Sequence, residues 1–428
     1  MPDRASNGLD ATQHQSGDKS RRTIVYVGAF ELPDRNAAAQ RVLANAFLLR
    51  MLGYRVVLAG VTQETGATDE FRRMEPDPHL PFECWERSVP DATLSWFKRV
   101  VGIGPLVRLI DTNCGEDLLA VICYDFPAIS QLRLRSFLHR KGAKALAEVT
   151  EWYSPTRGRS LAAIARNMDS FLRMRLVNPM MDGLVVASRY LADHYRRADL
   201  PILELPTLVS DDVIAAPPHP ATEDGQPKRL FFAGTGFDPA MARESKLGLK
   251  DRLDWVIRGL WRAHREGAEF QLDIFGVTHA AYCEIYPEDS DILAELAHRI
   301  VFHGRQPREI VRAALSASDY SIFLRAETRA TLAGFPTKFG ESIHFGTPVI
   351  TNAIGSIQSH HTEGATGHYV ECGDEAVLGR QLRNILGTPS QKVAAMKELC
   401  QRSGMFHYRH HLGAATLFKA EMDAAHVR

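Results

Sequence analysis

Residues 23–61, TIVYVGAFELPDRNAAAQRVLANAFLLRMLGYRVVLAGV, contain two short apolar runs on either side of a segment with helical spacing. The runs Thr23–Phe30 and Arg55–Val61 are rich in β-branched and aromatic residues, which is typical of buried strands. Between them, apolar side chains recur at helical spacing over Ala37–Gly53, and the glycine marks the end of the helix. This strand–helix–strand unit implies two parallel strands joined by a right-handed crossover.

The same alternation of strands and helices continues through both halves of the chain. Further strands are expected at Leu118–Tyr124, Ala143–Val149, Gly183–Ser188, Arg229–Ala233, Phe270–Val277, Ile300–His303, Tyr320–Leu324 and Pro348–Thr351. Residues 201–228, with six prolines, interrupt the pattern and indicate a linker. The sequence therefore predicts an α/β protein with two doubly wound, Rossmann-like domains facing across a cleft. Ligands of such sheets bind beyond the carboxyl ends of the strands.

The pattern divides the chain into five parts. We expect a disordered polar tail over 1–22, a first Rossmann-like domain over 23–210 and a linker over 211–228. A second Rossmann-like domain follows over 229–390. Residues 391–428 are helical by pattern and are expected to pack back on the first domain.

Composition restricts the classes of function. The 428 residues include 51 basic and 51 acidic side chains, so the net charge is zero. This balance argues against a general binder of nucleic acids or anionic membranes, which would carry a basic excess. No stretch approaches the roughly 20 apolar residues of a membrane-spanning helix. Six cysteines without a CxxC pair and a polar N-terminus without a signal sequence predict a reducing, cytoplasmic location.

The most informative motif is GFPTKFGES, residues 334–342. Pro336 suits the start of a helix, which leaves the amides of Thr337 and Lys338 free to bind an anion. A lysine in the first turn opposes the helix dipole by roughly 0.3–1 kcal/mol unless an anion is bound there. Glu341 follows about one turn later, where it could accept hydrogen bonds from a ribose. The segment thus suits a nucleoside diphosphate. The alternative interpretation is that Glu341 complements the helix dipole and Lys338 is solvated.

Residues Gly334–Asn352 resemble the donor-binding segment of family 4 glycosyltransferases, particularly those that assemble bacterial surface polysaccharides. These enzymes carry a Pro-x-Lys-x-x-Glu run followed by a Gly-x-Pro-Val-Ile strand, as this sequence does. The similarity extends, with less specificity, over most of 23–420. Its clearest further parts are Asp319–Arg325, Phe302–Val311, Lys228–Gly234 and Lys250-Asp251.

The resemblance implies the GT-B fold and a site for a nucleotide diphospho-sugar. It assigns donor binding to Gly334, Phe335, Thr337, Lys338, Glu341, Arg325, Lys250, Gly304, Arg305 and Asn36. Lys338 and Arg325 would also act in catalysis by neutralising the leaving diphosphate, with no metal and no cofactor. Arg325 follows a strand at the ligand edge of the sheet, although it could instead pair with Glu327 or Glu341 on the surface.

The acceptor side is expected in the first domain. Three carboxylates lie at or beyond predicted strand ends, namely Asp125, Glu148 and Glu151. Of these, we expect Glu151 to orient or deprotonate an acceptor hydroxyl. The resemblance implies retention of anomeric configuration and a sugar or lipid-linked glycan as acceptor, with no nucleic acid partner. Such an acceptor implies peripheral association with the cytoplasmic membrane face, although no amphipathic anchor is obvious in the sequence.

One position departs from the family pattern. Many members carry a second glutamate eight positions before the ribose ligand, where this chain has Ala333. This departure keeps open the alternative of a catalytically degenerate nucleotide-sugar-binding scaffold subunit. A second alternative to a transferase is a GT-B-fold epimerase acting on a nucleotide-sugar.

Two other motifs are rejected. Gly234-Thr235-Gly236 lacks the third glycine of a dinucleotide fingerprint, because Pro239 stands there. Asp289-Ser290-Asp291 precedes a helical run, so we interpret it as a helix N-terminus rather than a metal-binding DxD motif.

Overall fold

The computed structural model describes residues 22–33, 35–63, 70–78, 80–88, 101–153, 160–210, 219–234, 237 and 249–424. Residues 1–21 of the predicted tail and 211–218 of the predicted linker lie outside these ranges, as do Thr235 and Gly236 of the rejected glycine motif.

The first domain is built on an eight-stranded sheet. Its strands are β1 Thr23–Gly28, β2 Arg55–Thr62, β3 Arg72–Arg73, β4 Glu83–Ser88, β5 Leu118–Tyr124, β6 Lys144–Val149, β7 Gly183–Val186 and β8 Ile202–Glu204. They lie in the order β3-β4-β2-β1-β5-β6-β7-β8, and all the neighbouring pairs are parallel except β3 with β4. Its described helices are α1 Ala37–Met51, α2 Gly104–Asn113, α3 Ala128–Arg140, α4 Leu161–Leu172 and α5 Arg189–Tyr195.

The second domain is built on a six-stranded parallel sheet. Its strands are β9 Lys228–Ala233, β10 Phe270–Phe275, β11 Ile300–Gly304, β12 Tyr320–Ile322, β13 Val349–Thr351 and β14 Gly367–Tyr369, in the order β11-β10-β9-β12-β13-β14. Its described helices are α6 Leu253–Arg265, α7 His279–Ile285, α8 Ser290–Glu295, α9 Arg308–Ala317, α10 Arg329–Ala333, α11 Thr337–His344 and α12 Glu375–Leu386. Every strand predicted from the sequence is confirmed, with bounds that differ by three residues or fewer.

Each sheet buries apolar side chains on both faces. In the first sheet Val25 and Val27 face one core and Ile24 and Tyr26 the other, as the two-residue period of a strand requires. A continuous apolar run therefore marks a strand covered by helices on both sides. This burial explains why the strands were legible in the sequence.

The order of strands reverses direction between β1 and β5 in the first sheet and between β9 and β12 in the second. Such a switch point opens a crevice beyond the carboxyl ends of the two strands. The ends of β1 and β5 come close together there, since a Cβ atom added to Gly28 would lie 1.9 Å from the carbonyl oxygen of Tyr124. The two crevices are where binding residues should gather.

The C-terminal helices α13 Ser390–Ser403 and α14 Leu412–Ala424 contact different parts of the molecule. Val393 and Met396 of α13 belong to the core of the second domain. Phe418 and Met422 of α14 pack with Ile24 and Tyr26 of the first. Within the described ranges, none of the helices combines the length and apolarity that crossing a bilayer requires.

Candidate functional site

Helix α11 begins inside the segment GFPTKFGES, residues 334–342, where the sequence predicted a helix start. We call this segment the donor motif. Pro336 has extended backbone angles and precedes the helix, so it is the N-cap and not the first helical residue as expected. The side chain of Phe335 is buried and packs on Phe339 and Phe406, which leaves only its backbone to face a ligand. Gly340 lets α11 pack closely against the backbone of Thr207, since a Cβ atom added to Gly340 would lie 3.0 Å from the carbonyl oxygen of Thr207.

Lys338 and Arg325 meet on one carboxylate, that of Asp251. Lys338 Nζ lies 2.5 Å from Asp251 Oδ2, and Arg325 Nε lies 2.8 Å from Asp251 Oδ1. All three side chains are 15% exposed or less. The interpretations in which Lys338 is solvated and Arg325 pairs with a glutamate on the surface are therefore both wrong. We call Asp251, Arg325 and Lys338 the charge triad.

Burial and charge oppose each other in the triad. Burial alone would raise the pKa of Asp251, but the adjacent Lys338 and Arg325 charges outweigh it and lower that pKa to about 2. Burial also lowers the pKa of Lys338, whose ammonium lies 4.8 Å from the centroid of the Phe232 ring. The carboxylate therefore keeps two cations in a largely apolar setting.

The triad lies at the switch point of the second sheet. Arg325 follows β12, and its backbone N–H donates to Asn352 Oδ1 at 2.9 Å while its carbonyl accepts from Asn352 Nδ2 at 2.9 Å. These two bonds fix the loop beyond the strand. The sequence placed Arg325 at this edge correctly, but it did not identify Asp251 as its partner.

Glu341 lines a pocket of about 220 Å³ between the two domains. Thr337 of the donor motif lines it too, and Ala37 and Gln40 of α1 contribute from the first domain. Burial raises the pKa of Glu341, and the charges of Arg308, Arg312 and Lys338 act in the opposite direction. The pocket is thus lined by the Glu341 carboxylate, by Arg308 and Arg312, and by the N-termini of α1 and α11.

Asn36 lies at the start of α1, beside this pocket. Its Oδ1 atom accepts hydrogen bonds from the backbone N–H groups of Ala39 at 2.8 Å and of Glu31 at 3.4 Å. The side chain therefore caps the helix. Because a phosphate accepts hydrogen bonds, a diphosphate at this end of α1 would be contacted by the Nδ2 group of Asn36, and the cap bonds to Oδ1 could stay in place.

Glu151 and Lys250 form an ion pair between the domains. Gly334 of the donor motif lies beside them, since a Cβ added there would lie 3.9 Å from Cβ of Glu151. The structure therefore brings together the residue proposed for the acceptor, the start of the donor motif and a predicted phosphate ligand. It separates Lys250 from the charge triad, although Lys250 is adjacent to Asp251 in sequence.

Further contacts join the domains around this pair. The Arg329 guanidinium carbon lies 3.3 Å from the centroid of the Trp152 ring, and its Nε donates to the Tyr190 hydroxyl at 3.0 Å. Ser188 Oγ donates to the carbonyl oxygen of Ala333 at 2.5 Å. The cleft is thus bridged by polar and aromatic contacts next to the donor motif.

The departure at Ala333 has a structural reason. Its side chain is 0% exposed and belongs to an apolar cluster of the first domain. A glutamate in this position would place a carboxylate among apolar side chains, at a high cost in free energy. Alanine therefore suits the contact between the domains.

Gly304 and Arg305 lie at the end of β11. Gly304 has a φ of +62°, a conformation that favours glycine, and its carbonyl accepts from Gly276 N at 2.7 Å. Arg305 is exposed. In the part of the chain that the structure describes, neither residue lines the Glu341 pocket, so their proximity to a donor stays a prediction.

Arg308 and Arg312 were missed in the sequence. They are four residues apart in α9, so they share one helix face, and both line the Glu341 pocket. Two arginines at this spacing, directly after the predicted strand-Gly-Arg segment, were a signal that could have been used.

Three acidic positions considered in the sequence have structural roles. Glu148 is buried, accepts a hydrogen bond from Arg41 Nε at 2.5 Å, and also accepts from Asn45 and Tyr26. Asp125 pairs with Arg173. Asp289 does precede α8, but its carboxylate binds Arg258 Nε at 2.7 Å and the Tyr282 hydroxyl at 2.6 Å instead of capping the helix.

No candidate metal site is present among the residues that the structure describes. They contain no group of three or more His, Cys, Asp or Glu side chains that could hold an ion. The independence from metal and cofactor stays a prediction.

The comparisons with known proteins concern the family and the fold separately. Residues 242–388, roughly a third of the chain, match the family model described as glycosyl transferases group 1. This segment includes the charge triad and Glu341. No curated protein matches the sequence.

Several solved structures have the same fold. Sucrose-phosphate synthase from Thermosynechococcus elongatus is 14% identical, with 95% of this chain and 100% of that chain covered and a TM-score of 0.64. The lipopolysaccharide outer core galactosyltransferase WaaB is also 14% identical, with coverages of 92% and 99% and a TM-score of 0.58. HepE of Anabaena, in complex with UDP and glucose, is 11% identical, with coverages of 94% and 100% and a TM-score of 0.58.

These matches agree with the two facing sheets and with the motif in the second domain. The structural neighbours span nearly the whole chain, so the fold extends to both domains. The family match supports a transferase, because it covers the charge triad together with Thr337 and Glu341 of the interdomain pocket. The chain has the GT-B fold, and its residues 242–388 are similar to the glycosyl transferases of group 1.

Proposed function

We propose that this glycosyltransferase moves a sugar from a nucleotide diphospho-sugar to an acceptor hydroxyl, with retention and without a metal, in bacterial polysaccharide or glycoconjugate assembly. The observation that carries the proposal is the pocket in which Glu341 and Thr337 of the second domain face the start of α1 in the first. A donor bound there would contact both domains.

The roles of the donor residues follow from their chemistry. The Glu341 carboxylate can accept two hydrogen bonds from a ribose diol. The amides at the start of α11 and the cations of the charge triad can receive the diphosphate, whose negative charge grows as the bond to the sugar breaks. In this proposal, the arrangement would supply the electrostatic stabilisation that a metal supplies in other transferases.

The acceptor would approach from the side of Glu151. In the transfer, the bond from the anomeric carbon to the phosphate oxygen breaks and a bond from the acceptor oxygen to that carbon forms. Glu151 would orient the acceptor hydroxyl or take up its proton. Its pairing with Lys250 keeps the carboxylate beside Gly334, at the start of the donor motif.

A thermal-shift titration tests the donor site. The panel comprises UDP, GDP, ADP, dTDP and their common sugar conjugates without divalent metal, and UDP is the first probe because HepE binds it. Stabilisation by one diphosphate is expected, and Glu341→Ala should abolish it while leaving the fold intact. The matched control is Glu309→Gln, at an exposed position of α9.

The outcome also separates the transferase from the other two hypotheses. Stabilisation that is followed by sugar transfer to an added glycan supports the proposal. Interconversion of the donor sugar without an acceptor would indicate an epimerase, and nucleotide binding without any turnover would indicate a scaffold subunit.

A further inference from the structure

Helix α4, Leu161–Leu172, exposes its apolar side chains to solvent. Leu161, Ile164, Met168 and Phe171 recur at intervals of three and four residues, and they are 85%, 52%, 54% and 55% exposed. This spacing places them on one face of the helix. We call these four residues the apolar stripe.

The helix is anchored to the protein by its other face. Ala163 is buried, and the Asp169 carboxylate accepts a hydrogen bond from the backbone N–H of Ala128 at 2.8 Å. Leu172 packs against the core of the first domain. Apart from Leu172, small and polar residues of α4 therefore face the protein and large apolar residues face solvent, which is the reverse of an ordinary surface helix.

The apolar surface continues past the helix. Leu176 and Met180 are 54% and 50% exposed. Six of the twelve large apolar side chains that are exposed in the described part of the chain thus fall within twenty residues. Single exposed apolar residues are ordinary, but a continuous cluster indicates an interaction surface.

The charge around the stripe is positive. Arg166 and Arg175 are exposed on the same segment, and the Arg175 guanidinium carbon lies 5.8 Å from the centroid of the Phe171 ring. Burial lowers the pKa of His194, and the nearby charges of Arg329, Arg175 and Arg197 lower it further. Asp193 there already pairs with Arg189 and Arg196, and Glu204 lies 3.9 Å from Arg189.

We infer that the apolar stripe docks on the surface of an anionic lipid bilayer. A helix with large apolar residues on its exposed face and arginines beside them is the type that lies in the plane of a membrane interface. The arginines favour anionic headgroups over a neutral surface or an apolar protein partner. The zero net charge of the whole chain concealed this local basic surface in the sequence.

The position of α4 relates this surface to the cleft. The helix lies only ten residues after Glu151 in the chain, and Arg175 lies 5.6 Å from the Trp152 ring that Arg329 also contacts. Docking would bring the acceptor side of the cleft to the membrane. This part of the inference rests on the proposed function and its lipid-linked acceptor.

Co-sedimentation of the full chain with vesicles tests the inference. Binding to vesicles of equal parts phosphatidylcholine and phosphatidylglycerol is expected to exceed binding to phosphatidylcholine alone by roughly tenfold or more. Combined replacement of Ile164, Met168 and Phe171 by serine should remove most of the binding. Arg166→Gln and Arg175→Gln should each weaken it by roughly fivefold.

The matched control replaces Met51, Leu399 and Leu417 by serine, since these residues are similarly exposed elsewhere. The control should bind as the wild type does, and both triple variants should keep the wild-type melting temperature. Equal sedimentation of the stripe variant and the wild type, or no binding of the wild type to either vesicle, would overturn the inference.

Light scattering without lipid separates a membrane from a second copy of the chain. A wild-type dimer that becomes a monomer in the stripe variant, together with absent vesicle binding, would assign the surface to self-association and refute the inference. The donor site is tested independently by UDP in the absence of lipid, so failure of one proposal is distinguishable from failure of the other.

Discussion

Asp251 Oδ2 lies 2.5 Å from Lys338 Nζ, so the lysine of the donor motif already has an anionic partner inside the protein. Arg325 shares that partner through the other carboxylate oxygen. Two cations and one carboxylate leave one net positive charge in the triad. A diphosphate that arrives at the start of α11 must therefore draw the cations away from Asp251 or bind beside it.

The first prediction concerns Asp251→Asn. Loss of the carboxylate leaves two buried cations without their partner and should destabilise the ligand-free protein by roughly 3–5 kcal/mol. It should also increase the stabilisation by the diphosphate identified in the panel, because the ligand no longer competes with Asp251. Thermal unfolding with and without the nucleotide measures both effects.

Asp254→Asn is the control for this variant, since Asp254 is also buried and binds Arg252 Nε at 2.8 Å. It should cost stability without changing the response to nucleotide. A smaller nucleotide shift in Asp251→Asn than in the wild type would contradict the prediction and make Asp251 part of the binding site.

Acid titration provides a second measurement of the same group. The pKa of Asp251 is about 2 in the folded protein, below its ordinary value of 3.8. Its contribution to stability is therefore complete above about pH 5 and is lost as the pH falls towards 2. The difference in unfolding free energy between the wild type and Asp251→Asn should shrink over that interval.

The second prediction concerns Ala333→Glu, which restores the family's usual glutamate. Ala333 is fully buried against the first domain, so the larger, charged side chain should destabilise the protein by roughly 3 kcal/mol or more. Ala330→Glu, at a half-buried position of the same helix, should cost far less. A stable Ala333→Glu protein with higher transferase activity would show that the cleft opens at this contact.

The strands were predictable because burial on both faces leaves apolar runs in the sequence. Their bounds in both domains follow from the local pattern. The start of α11 and the position of Arg325 after β12 were predictable for a similar reason, since proline and strand ends act locally. The fold therefore needed little information beyond neighbouring residues.

The pairing of charges was not predictable in this way. Asp251 is separated from Arg325 and Lys338 by 74 and 87 positions, and which carboxylate reaches them depends on how α6 and α11 pack. The reversed orientation of α4 was missed for another reason. Its apolar spacing is the same for a helix that faces the core and for one that faces solvent, and only the fold decides between them.

The third prediction concerns Glu148→Gln. Glu148 is buried and binds Arg41, whose guanidinium also donates to the carbonyl oxygens of Leu205 and Pro206 at 2.9 Å each. Removing the charge should cost roughly 3–5 kcal/mol, because Arg41 stays buried without its carboxylate. Chemical denaturation measures this loss. At a temperature where the variant is folded, nucleotide binding should be unchanged, and loss of binding in the folded variant would instead give Glu148 a role in the site.

The fourth prediction separates the two roles open to Glu151, holding the domains together and acting on the acceptor. The pair with Lys250 is partly exposed, so Glu151→Lys or Lys250→Glu alone should change stability by only about 1 kcal/mol. Combining the two exchanges restores an ion pair of opposite direction and should recover that stability. It should not recover sugar transfer, because a lysine at position 151 cannot accept a proton from the acceptor while it is charged.

The wild type, both single variants and the double variant are compared by thermal unfolding and by transfer rate. A double variant that regains the wild-type rate would show that the pair only orients the domains, and the proton would then have another acceptor.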